Sequence, residues 1–174
     1  MTENNIEMIY DISSGRVREV DCAFHRYLYS QIDWDSRLIA LDGPRGVGKT
    51  TMFLQHLKEN PKESEAALYV SLDNIWLDVK DIYELAQYHV RHGGKSIYLD
   101  EIHYLANWQN LIKSLYDNFK NLKIAYTGSS ILRLSQGKAD LSRRQVEYSL
   151  AGMSFREFLE LDGCGRFKVY NFED

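Results

Sequence analysis

Short apolar runs alternate along the chain with longer stretches in which apolar residues recur at helical spacing. Five apolar runs stand out, at 38–41, 67–72, 96–100, 123–127 and 146–150. They lack the strict alternation of a strand with one exposed face, which is typical of strands buried on both faces of a sheet. Strands that alternate with helices predict βαβ units, and therefore a mostly parallel sheet covered by helices on both faces.

The stretches between these runs have the periodicity of amphipathic helices. The sequence predicts helices at 18–31, 49–59, 78–91 and 155–161, and a further one from Asn107 through Phe119. Asn107 is the expected N-cap of that helix. Ser154 and Glu157 have the spacing of a capping box for the helix at 155–161. The segment 131–144 has a mixed pattern, which we interpret as a helix broken near its glycine.

Composition and charge restrict the class of protein. The 174 residues are 44% hydrophobic and 26% charged, which is the profile of one globular domain and not of a disordered chain. The net charge of −4 gives no overall basic character of the kind that nucleic-acid-binding domains direct at phosphate. No apolar run approaches the ~18–20 residues that span a bilayer, and the N-terminus is unlike a signal peptide. Cys22 and Cys164 lack a metal-binding spacing, so we interpret them as reduced thiols of a cytoplasmic protein.

Residues 43–50 read Gly-Pro-Arg-Gly-Val-Gly-Lys-Thr and match the phosphate-loop pattern, G-x-x-x-x-G-K followed by Ser or Thr, at every position. A predicted strand precedes them and a predicted helix follows, which is the context that this motif requires. Glycines let successive backbone N–H groups converge on one point, and the helix N-terminus adds a partial positive charge there. The residues expected to surround the phosphates of a nucleotide are Gly43, Pro44, Arg45, Gly46, Val47, Gly48, Lys49, Thr50 and Thr51.

Two side chains of this loop have specific roles in the motif. Lys49 would reach the β- and γ-phosphates as a point charge, and the Thr50 hydroxyl would be a ligand of Mg²⁺. Arg45 either contacts phosphate or faces solvent. Because the chain has no Asn-Lys-x-Asp guanine motif, ATP is the expected nucleotide, with Mg²⁺ as its companion ion.

An apolar strand that ends in two acids places Asp100 51 residues after Lys49. The carboxyl ends of parallel strands meet at one edge of a sheet, so Asp100 and Glu101 are expected near the phosphate loop. Asp100 would hold Mg²⁺, and Glu101 would polarise an attacking water, which gives hydrolysis. An apolar run followed by Asp-Glu is a weak signal alone, and its alternative is a strand that leads into a solvated turn.

Together these motifs resemble the AAA+-type ATP-binding proteins of bacteria and archaea. The resemblance covers roughly residues 16 to 162 and rests on the phosphate loop and on the segments 99–103 (Leu-Asp-Glu-Ile-His), 108–116, 127–130 (Thr-Gly-Ser-Ser) and 154–158 (Ser-Phe-Arg-Glu-Phe). It implies a P-loop NTPase fold, which is a three-layer α/β/α sandwich around a mostly parallel five-stranded sheet of order 5-1-4-3-2.

The resemblance also implies how the chain is divided. We expect a helical lead-in at 1–36, the nucleotide-binding sheet at 37–152 and the start of a C-terminal region at 153–174. Members of the group usually continue with a helical lid and a domain that resembles a nuclease or a winged helix. We therefore expect this chain to be an ATPase core truncated after Asp174.

Two further groups of site residues are implied in the same way. A polar side chain after the fourth strand, Thr127, Ser129 or Ser130, would sense the γ-phosphate. Arg143 or Arg144, just before the fifth strand, would reach the γ-phosphate bound to a neighbouring copy and neutralise transition-state charge.

The arginines before the fifth strand have two other interpretations. Arg143 and Arg144 could lie at a solvated helix end, where the helix dipole favours a cation. They could also form a small basic patch for nucleic acid together with Arg133 and Lys138. The sequence leaves these alternatives open.

The function that the sequence favours is Mg²⁺-dependent ATP binding and hydrolysis by a switch or regulatory ATPase domain. The expected catalytic residues are Lys49, Glu101, Ser129, Arg143 and Arg144, and the expected metal ligands are Thr50 and Asp100. The expected partners are ATP, ADP and a second copy that packs against the ATP site, with nucleic acid reached only through missing domains and no membrane. The alternatives are a P-loop kinase for a small molecule and a nucleotide-binding interaction module with little turnover.

Overall fold

A computed structural model describes residues 1–73, 76–129, 141 and 143–165. Five strands lie in the described part of the chain: β1 (Leu38–Asp42), β2 (Ala67–Ser71), β3 (Ser96–Asp100), β4 (Lys123–Gly128) and β5 (Val146–Ser149). The α-helices there are α1 (Glu3–Glu19), α2 (Lys49–Glu59), α3 (Pro61–Ser64), α4 (Val79–Arg91), α5 (Trp108–Asn118) and α6 (Phe155–Leu161). Short 3₁₀ helices span Tyr27–Gln31 and Ile102–Tyr104.

The strands form one parallel sheet of order β2-β3-β4-β1-β5. This order and the α/β fold with helices on both sides confirm the predicted architecture. Because all strands run the same way, the loop after β1 and the acidic end of β3 lie at the same edge, with β4 between them.

Two apolar layers cover the sheet, one on each face. Leu38 and Ala40 of β1 belong to a cluster with the apolar faces of α4 and α5. The alternate positions, Ile39 and Leu41, belong to a second cluster with α2, whose Phe53 is completely buried. Successive side chains of a strand point to opposite faces, so both faces of β1 are apolar and the run in the sequence has no polar alternation.

The N-terminal helix α1 covers the outer edge of the sheet at β2. The Tyr69 N–H donates to the Ser13 hydroxyl at 3.0 Å, so a backbone donor of this edge strand is bonded. Edges covered in this way are protected from pairing with another chain. Among the described residues, no helix has the length and apolar character needed to cross a membrane.

The predicted helix at 18–31 is wrong. The helix ends at Glu19, and the chain then runs irregularly to the 3₁₀ turn at Tyr27. Side chains of α2 take the backbone carbonyls that a helix would use: Gln55 donates to Asp21 and Phe24, and Lys58 donates to Arg18 and Val20. These tertiary hydrogen bonds override the helical spacing of the apolar residues in this segment.

The other helix predictions are close to the observed elements. Asp78 and Ser154 each form a capping box, at α4 and α6. Asn107 does precede α5, but its backbone is left-handed with φ 60° and its side chain makes no cap hydrogen bond. The broken helix predicted at 131–144 lies outside the described residues except for positions 141, 143 and 144.

Candidate nucleotide-binding site

The loop after β1 has the backbone shape that its glycines permit. A side chain at Gly43 would place a Cβ 2.3 Å from the carbonyl oxygen of Leu150, so only glycine fits there. Gly48 is the N-cap of α2 with φ 101°, a left-handed conformation that side chains rarely adopt. The loop therefore delivers the chain directly into the N-terminus of α2, where free backbone N–H groups and the helix dipole favour an anion.

Lys49 lies over this loop and is 3% exposed. Its ammonium donates to the carbonyl oxygens of Gly43 at 3.0 Å and Pro44 at 2.9 Å. In the part of the chain that the structure describes, no carboxylate forms an ion pair with Lys49. A buried ammonium that is held only by neutral oxygens can attract an anion strongly.

Asp100 is the centre of a cluster of hydroxyl groups and is 2% exposed. Thr50 donates to its Oδ2 at 2.6 Å, Tyr69 donates to the same atom at 2.8 Å, and Thr127 donates to Oδ1. All three donors are neutral. Burial and the Asp100 charge raise the pKa of the Tyr69 phenol far above its ordinary value, so Tyr69 remains a donor.

Glu101 follows directly and has a left-handed backbone, with φ 56° and ψ 46°. Left-handed backbone is uncommon outside glycine, and it clusters at functional sites. The Glu101 N–H donates to the Thr127 hydroxyl at 2.8 Å, which fixes the turn. The carboxylate lies 3.2 Å from Nδ1 of His103.

An open cleft of about 250 Å³ joins these groups. Its lining includes Arg45, Thr50, Asp100, Glu101 and Ser129. The structure therefore brings the phosphate loop, both acids and the end of β4 to one place.

The three candidate sensors have different positions. Thr127 is fully buried and bonds Asp100 and the Glu101 backbone, so it supports the acids instead of facing the cleft. Ser129 lines the cleft, and its hydroxyl oxygen is buried without a hydrogen-bond partner among the described residues. Ser130 lies outside the described residues. Of the two that are described, Ser129 is the one with a free hydroxyl at the cleft.

Arg143 and Arg144 are not part of this cleft. They precede β5, so they lie at the edge of the parallel sheet opposite the phosphate loop. Arg144 pairs with Asp117 at the end of α5, 3.7 Å away. Within one chain the structure therefore does not bring these arginines to the phosphate loop. Arg133 and Lys138, the other members of the suggested basic patch, lie outside the described residues.

The sequence reasoning missed Arg26, which is 9% exposed and contacts the phosphate loop. Its Nη1 donates to the Val47 carbonyl at 2.5 Å, and its Nε donates to Glu157 at 2.9 Å. The contact with Glu157 joins positions 131 apart, so no local pattern could reveal it. Tyr69 was missed as a partner of Asp100 because a tyrosine in a buried strand indicates core packing with its hydroxyl at a polar rim and does not identify the acceptor.

A second cluster of metal-ligand side chains lies outside the cleft. Atoms of Cys22, His25 and Glu59 are within 4.8 Å of one another. Glu59 accepts a hydrogen bond from Tyr29 at 2.7 Å and lies 3.1 Å from the His25 ring, so its carboxylate has protein partners. Burial and the Glu59 charge raise the pKa of the Cys22 thiol, which disfavours the thiolate that a metal requires. We therefore attribute this cluster to the packing of the irregular segment on α2.

Comparison with known proteins relates the chain to several others. The family model described as "AAA domain" matches residues 35–159. An uncharacterized protein of Methanocaldococcus jannaschii is 36% identical over 133 residues, which are 71% of this chain and 28% of that protein. An uncharacterized protein of Haemophilus influenzae is 33% identical over 129 residues, which are 68% of this chain and 32% of that protein. The chain thus spans about a third of the length of these relatives.

A solved structure gives an independent comparison of the fold. The structure of Caenorhabditis elegans PCH-2 aligns with a TM-score of 0.51 at 17% identity. The alignment covers 93% of this chain and 48% of the other. At this identity the likeness concerns the fold alone.

Proposed function

The chain belongs to the family of AAA domains, and from this premise we propose that it binds ATP with Mg²⁺ and hydrolyses ATP as a switch or regulatory ATPase domain. One observation carries the proposal: the Thr50 hydroxyl at the start of α2 bonds the Asp100 carboxylate at the end of β3 at 2.6 Å. This hydrogen bond joins the phosphate loop to the acidic end of β3, two motifs that are 50 positions apart.

Lys49 supplies positive charge for the phosphates. Its ammonium is held by two neutral carbonyl oxygens, so a phosphate oxygen can replace them and gain the attraction between opposite charges. The N–H groups at the start of α2 add donors that already point at the same place. A polyphosphate is the anion that this combination favours.

The oxygen atoms of Thr50 and Asp100 fit Mg²⁺, which prefers oxygen ligands and is usually held by one or two protein groups together with phosphates and water. Tyr69 and Thr127 fix the Asp100 carboxylate by hydrogen bonds, so it stays directed at Thr50. Bound there, Mg²⁺ would neutralise charge on the transferring phosphoryl group.

Glu101 is the proposed group that orients and polarises the attacking water. Its left-handed backbone and the bond from its N–H to Thr127 direct the side chain away from the line of β3 and into the cleft. Ser129 offers a free hydroxyl to the γ-phosphate from the end of β4. Both acids and this sensor lie at the ends of the adjacent strands β3 and β4, which supports the proposal.

Arg143 and Arg144 enter the proposal only through a second copy of the chain. Their position at the opposite edge of the sheet excludes contact with phosphates bound to the same chain. A guanidinium from a neighbouring copy can stabilise transition-state charge at the γ-phosphate. Self-association through the ATP site is therefore the arrangement in which either arginine would act.

One observation favours a second candidate function, a nucleotide-binding interaction module with little turnover. The Glu101 carboxylate lies 3.2 Å from His103 Nδ1, and this contact competes with its use as a base. Nucleotide would then act mainly as a ligand that fixes the conformation of the domain.

The two candidates are separated by measuring phosphate release from ATP, with and without Mg²⁺. We expect slow Mg²⁺-dependent release, and we expect Glu101→Gln to lower the rate by about 10²-fold or more while ADP affinity stays unchanged. Asp73→Asn is the matched control, because Asp73 is another acid of the same cleft outside the motifs. A rate that Glu101→Gln leaves unchanged would support the interaction module, and transfer of phosphate to an added acceptor in place of release would indicate a kinase.

A further inference from the structure

Arg26 connects three parts of the chain through one guanidinium. Its Nη1 donates to the Val47 carbonyl of the phosphate loop at 2.5 Å. Its Nη2 donates to the carbonyls of Ala151 at 3.0 Å and Gly152 at 3.2 Å, which follow β5. Nε and Nη2 both face the Glu157 carboxylate at the start of α6, at 2.9 and 3.4 Å. A planar guanidinium with donors on several sides is suited to such a junction.

The bond to Val47 bears directly on the phosphate loop. In a trans peptide the C=O of one residue and the N–H of the next point in opposite directions, and the described residues contain no cis peptide. When Arg26 holds the Val47 carbonyl, it therefore fixes the direction of the Gly48 N–H, which points away from the guanidinium. Glycine has the widest choice of backbone angles, so this peptide depends on an external contact for its orientation.

The position of the Arg26 guanidinium, and with it the hydrogen bond to Val47, depends in turn on Glu157. The Glu157 carboxylate also accepts hydrogen bonds from the Tyr27 N–H at 2.9 Å, the Ser154 N–H at 2.8 Å and the Ser154 hydroxyl at 2.9 Å. These donors and the guanidinium keep the pKa of Glu157 low, at about 2, against the opposing effect of burial. Glu157 therefore supplies a negative counter-charge to Arg26 at neutral pH.

Helix α6 buries little apolar surface against the rest of the described chain, although the Tyr27 hydroxyl also donates to Glu160 at 3.0 Å. Glu157 is its one buried residue, whereas Phe155 is 75% exposed and Phe158 is 50% exposed. Apolar burial therefore contributes little to the docking of this helix. The polar cluster of Arg26, Ser154 and Glu157 is what holds its N-terminus in place.

We propose that Arg26 is a positioning residue of the phosphate site, and that Arg26 and Glu157 link nucleotide affinity to the docking of α6. The proposal rests on the function proposed above, because it concerns the same anion site. Linkage is reciprocal: a nucleotide that favours the ordered loop favours docked α6, and a change that undocks α6 weakens nucleotide binding by the same factor.

Arg37 offers a matched control for the test. Its guanidinium also donates to backbone carbonyls, those of Tyr116 and Phe119, and lies 3.8 Å above the Tyr116 ring. It precedes β1, at the edge of the sheet opposite the phosphate loop. Arg37→Lys therefore perturbs an equivalent structural arginine without touching the loop.

The first measurement is ADP affinity by titration calorimetry for wild type, Arg26→Lys and Arg37→Lys, with urea unfolding as a check that each variant folds. We expect Arg26→Lys to weaken ADP binding by roughly tenfold or more, and Arg37→Lys to leave it nearly unchanged. Equal ADP affinity in wild type and Arg26→Lys would overturn the linkage and leave the proposed function intact. Absence of ADP binding to wild type would overturn the proposed function itself.

The second measurement tests reciprocity by hydrogen exchange. The Phe158 N–H donates to the Ser154 carbonyl in the first turn of α6, at 2.9 Å. We expect ADP to slow the exchange of this amide in wild type and not in Arg26→Lys, while the amides at the start of α2 are protected in both. A purely structural Arg26 would leave the effect of ADP on α6 the same in both proteins, and that result would contradict the linkage.

Discussion

Two buried carboxylates at the same edge of the sheet have opposite electrostatic surroundings. Asp100 is 2% exposed and accepts hydrogen bonds from three neutral hydroxyls, whereas Glu157 is 5% exposed and pairs with the Arg26 guanidinium. A buried charge without a partner is strongly unfavourable, whereas an opposite charge in good geometry offsets much of the cost of desolvation. Asp100 is therefore suited to bind a cation of a ligand, whereas the counter-charge of Glu157 is a side chain of the protein itself, Arg26.

The two buried cations near the phosphate loop differ in the same way. Arg26 has the Glu157 carboxylate, whereas Lys49 has two carbonyl oxygens and, in the described chain, no acid. Neither Lys49 nor Asp100 forms an ion pair with another described residue, whereas Arg26 and Glu157 pair with each other. MgATP would give Lys49 and Asp100 each a partner of opposite charge, because it brings an anion to the lysine and a cation to the aspartate.

The largest effect is expected from Lys49→Ala. Without the ammonium, ATP affinity should fall by two to three orders of magnitude, or about 3–4 kcal/mol. Titration calorimetry measures the change, with Lys58→Ala as the control, because Lys58 also donates to two backbone carbonyls but lies outside the loop. If Lys49→Ala leaves ATP affinity unchanged, Lys49 does not provide the positive charge that binds the phosphates.

Glu157→Gln should have the next largest effect, and on stability. The amide can still accept hydrogen bonds but leaves the buried Arg26 charge without a partner, so the free energy of unfolding should fall by about 3 kcal/mol. Urea unfolding at neutral pH measures it. A loss below ~1 kcal/mol would show that the ion pair is not what stabilises this region.

Acid should reproduce part of this loss in the wild-type protein. The pKa of Glu157 is lowered from 4.5 to about 2 on folding, so its contribution is complete above pH 4.5 and is lost as the pH falls towards 2. Between pH 7 and pH 3 the contribution should decrease by about 2 kcal/mol. Urea unfolding of wild type and Glu157→Gln across this range isolates it, because every other titrating group is shared. Parallel pH profiles of the two proteins would disprove the assignment.

Asp100→Asn should change stability least. The substitution removes a buried charge that forms no ion pair with another described residue, and the three hydroxyls can rotate to suit the amide. We therefore expect a change within about 1 kcal/mol. Urea unfolding measures the free energy of unfolding of Asp100→Asn and Glu157→Gln side by side, and we expect the loss to be clearly larger for Glu157→Gln. If Asp100→Asn lowers the free energy of unfolding as much as Glu157→Gln does, Asp100 stabilises the fold and is not kept for ligand binding alone.

Local patterns predicted the parts of the fold and of the site that are determined locally. The five strands, the glycine loop before α2 and the capping box at Ser154 and Glu157 depend on neighbouring residues, and they lie where the sequence placed them. The strand order came from the family resemblance, since no periodicity in one sequence specifies it. The structure also brings Thr50 and Asp100 into contact, while their roles with Mg²⁺ stay a prediction.

The failures concern contacts between distant segments. The helix predicted at 18–31 does not form because Gln55 and Lys58 of α2 take its carbonyls. The same irregular segment presents Arg26 to a partner 131 positions away. Glu157 was correctly predicted as a capping residue, but its second role as the counter-charge of Arg26 needed the tertiary structure.

The most direct test of the account is the effect of Mg²⁺ on ATP affinity in wild type and in Asp100→Asn, measured by calorimetry. If Asp100 is the uncompensated acid that holds the ion, Mg²⁺ should strengthen ATP binding to wild type by about tenfold and have little effect on the variant. Equal strengthening by Mg²⁺ in both proteins would contradict the account.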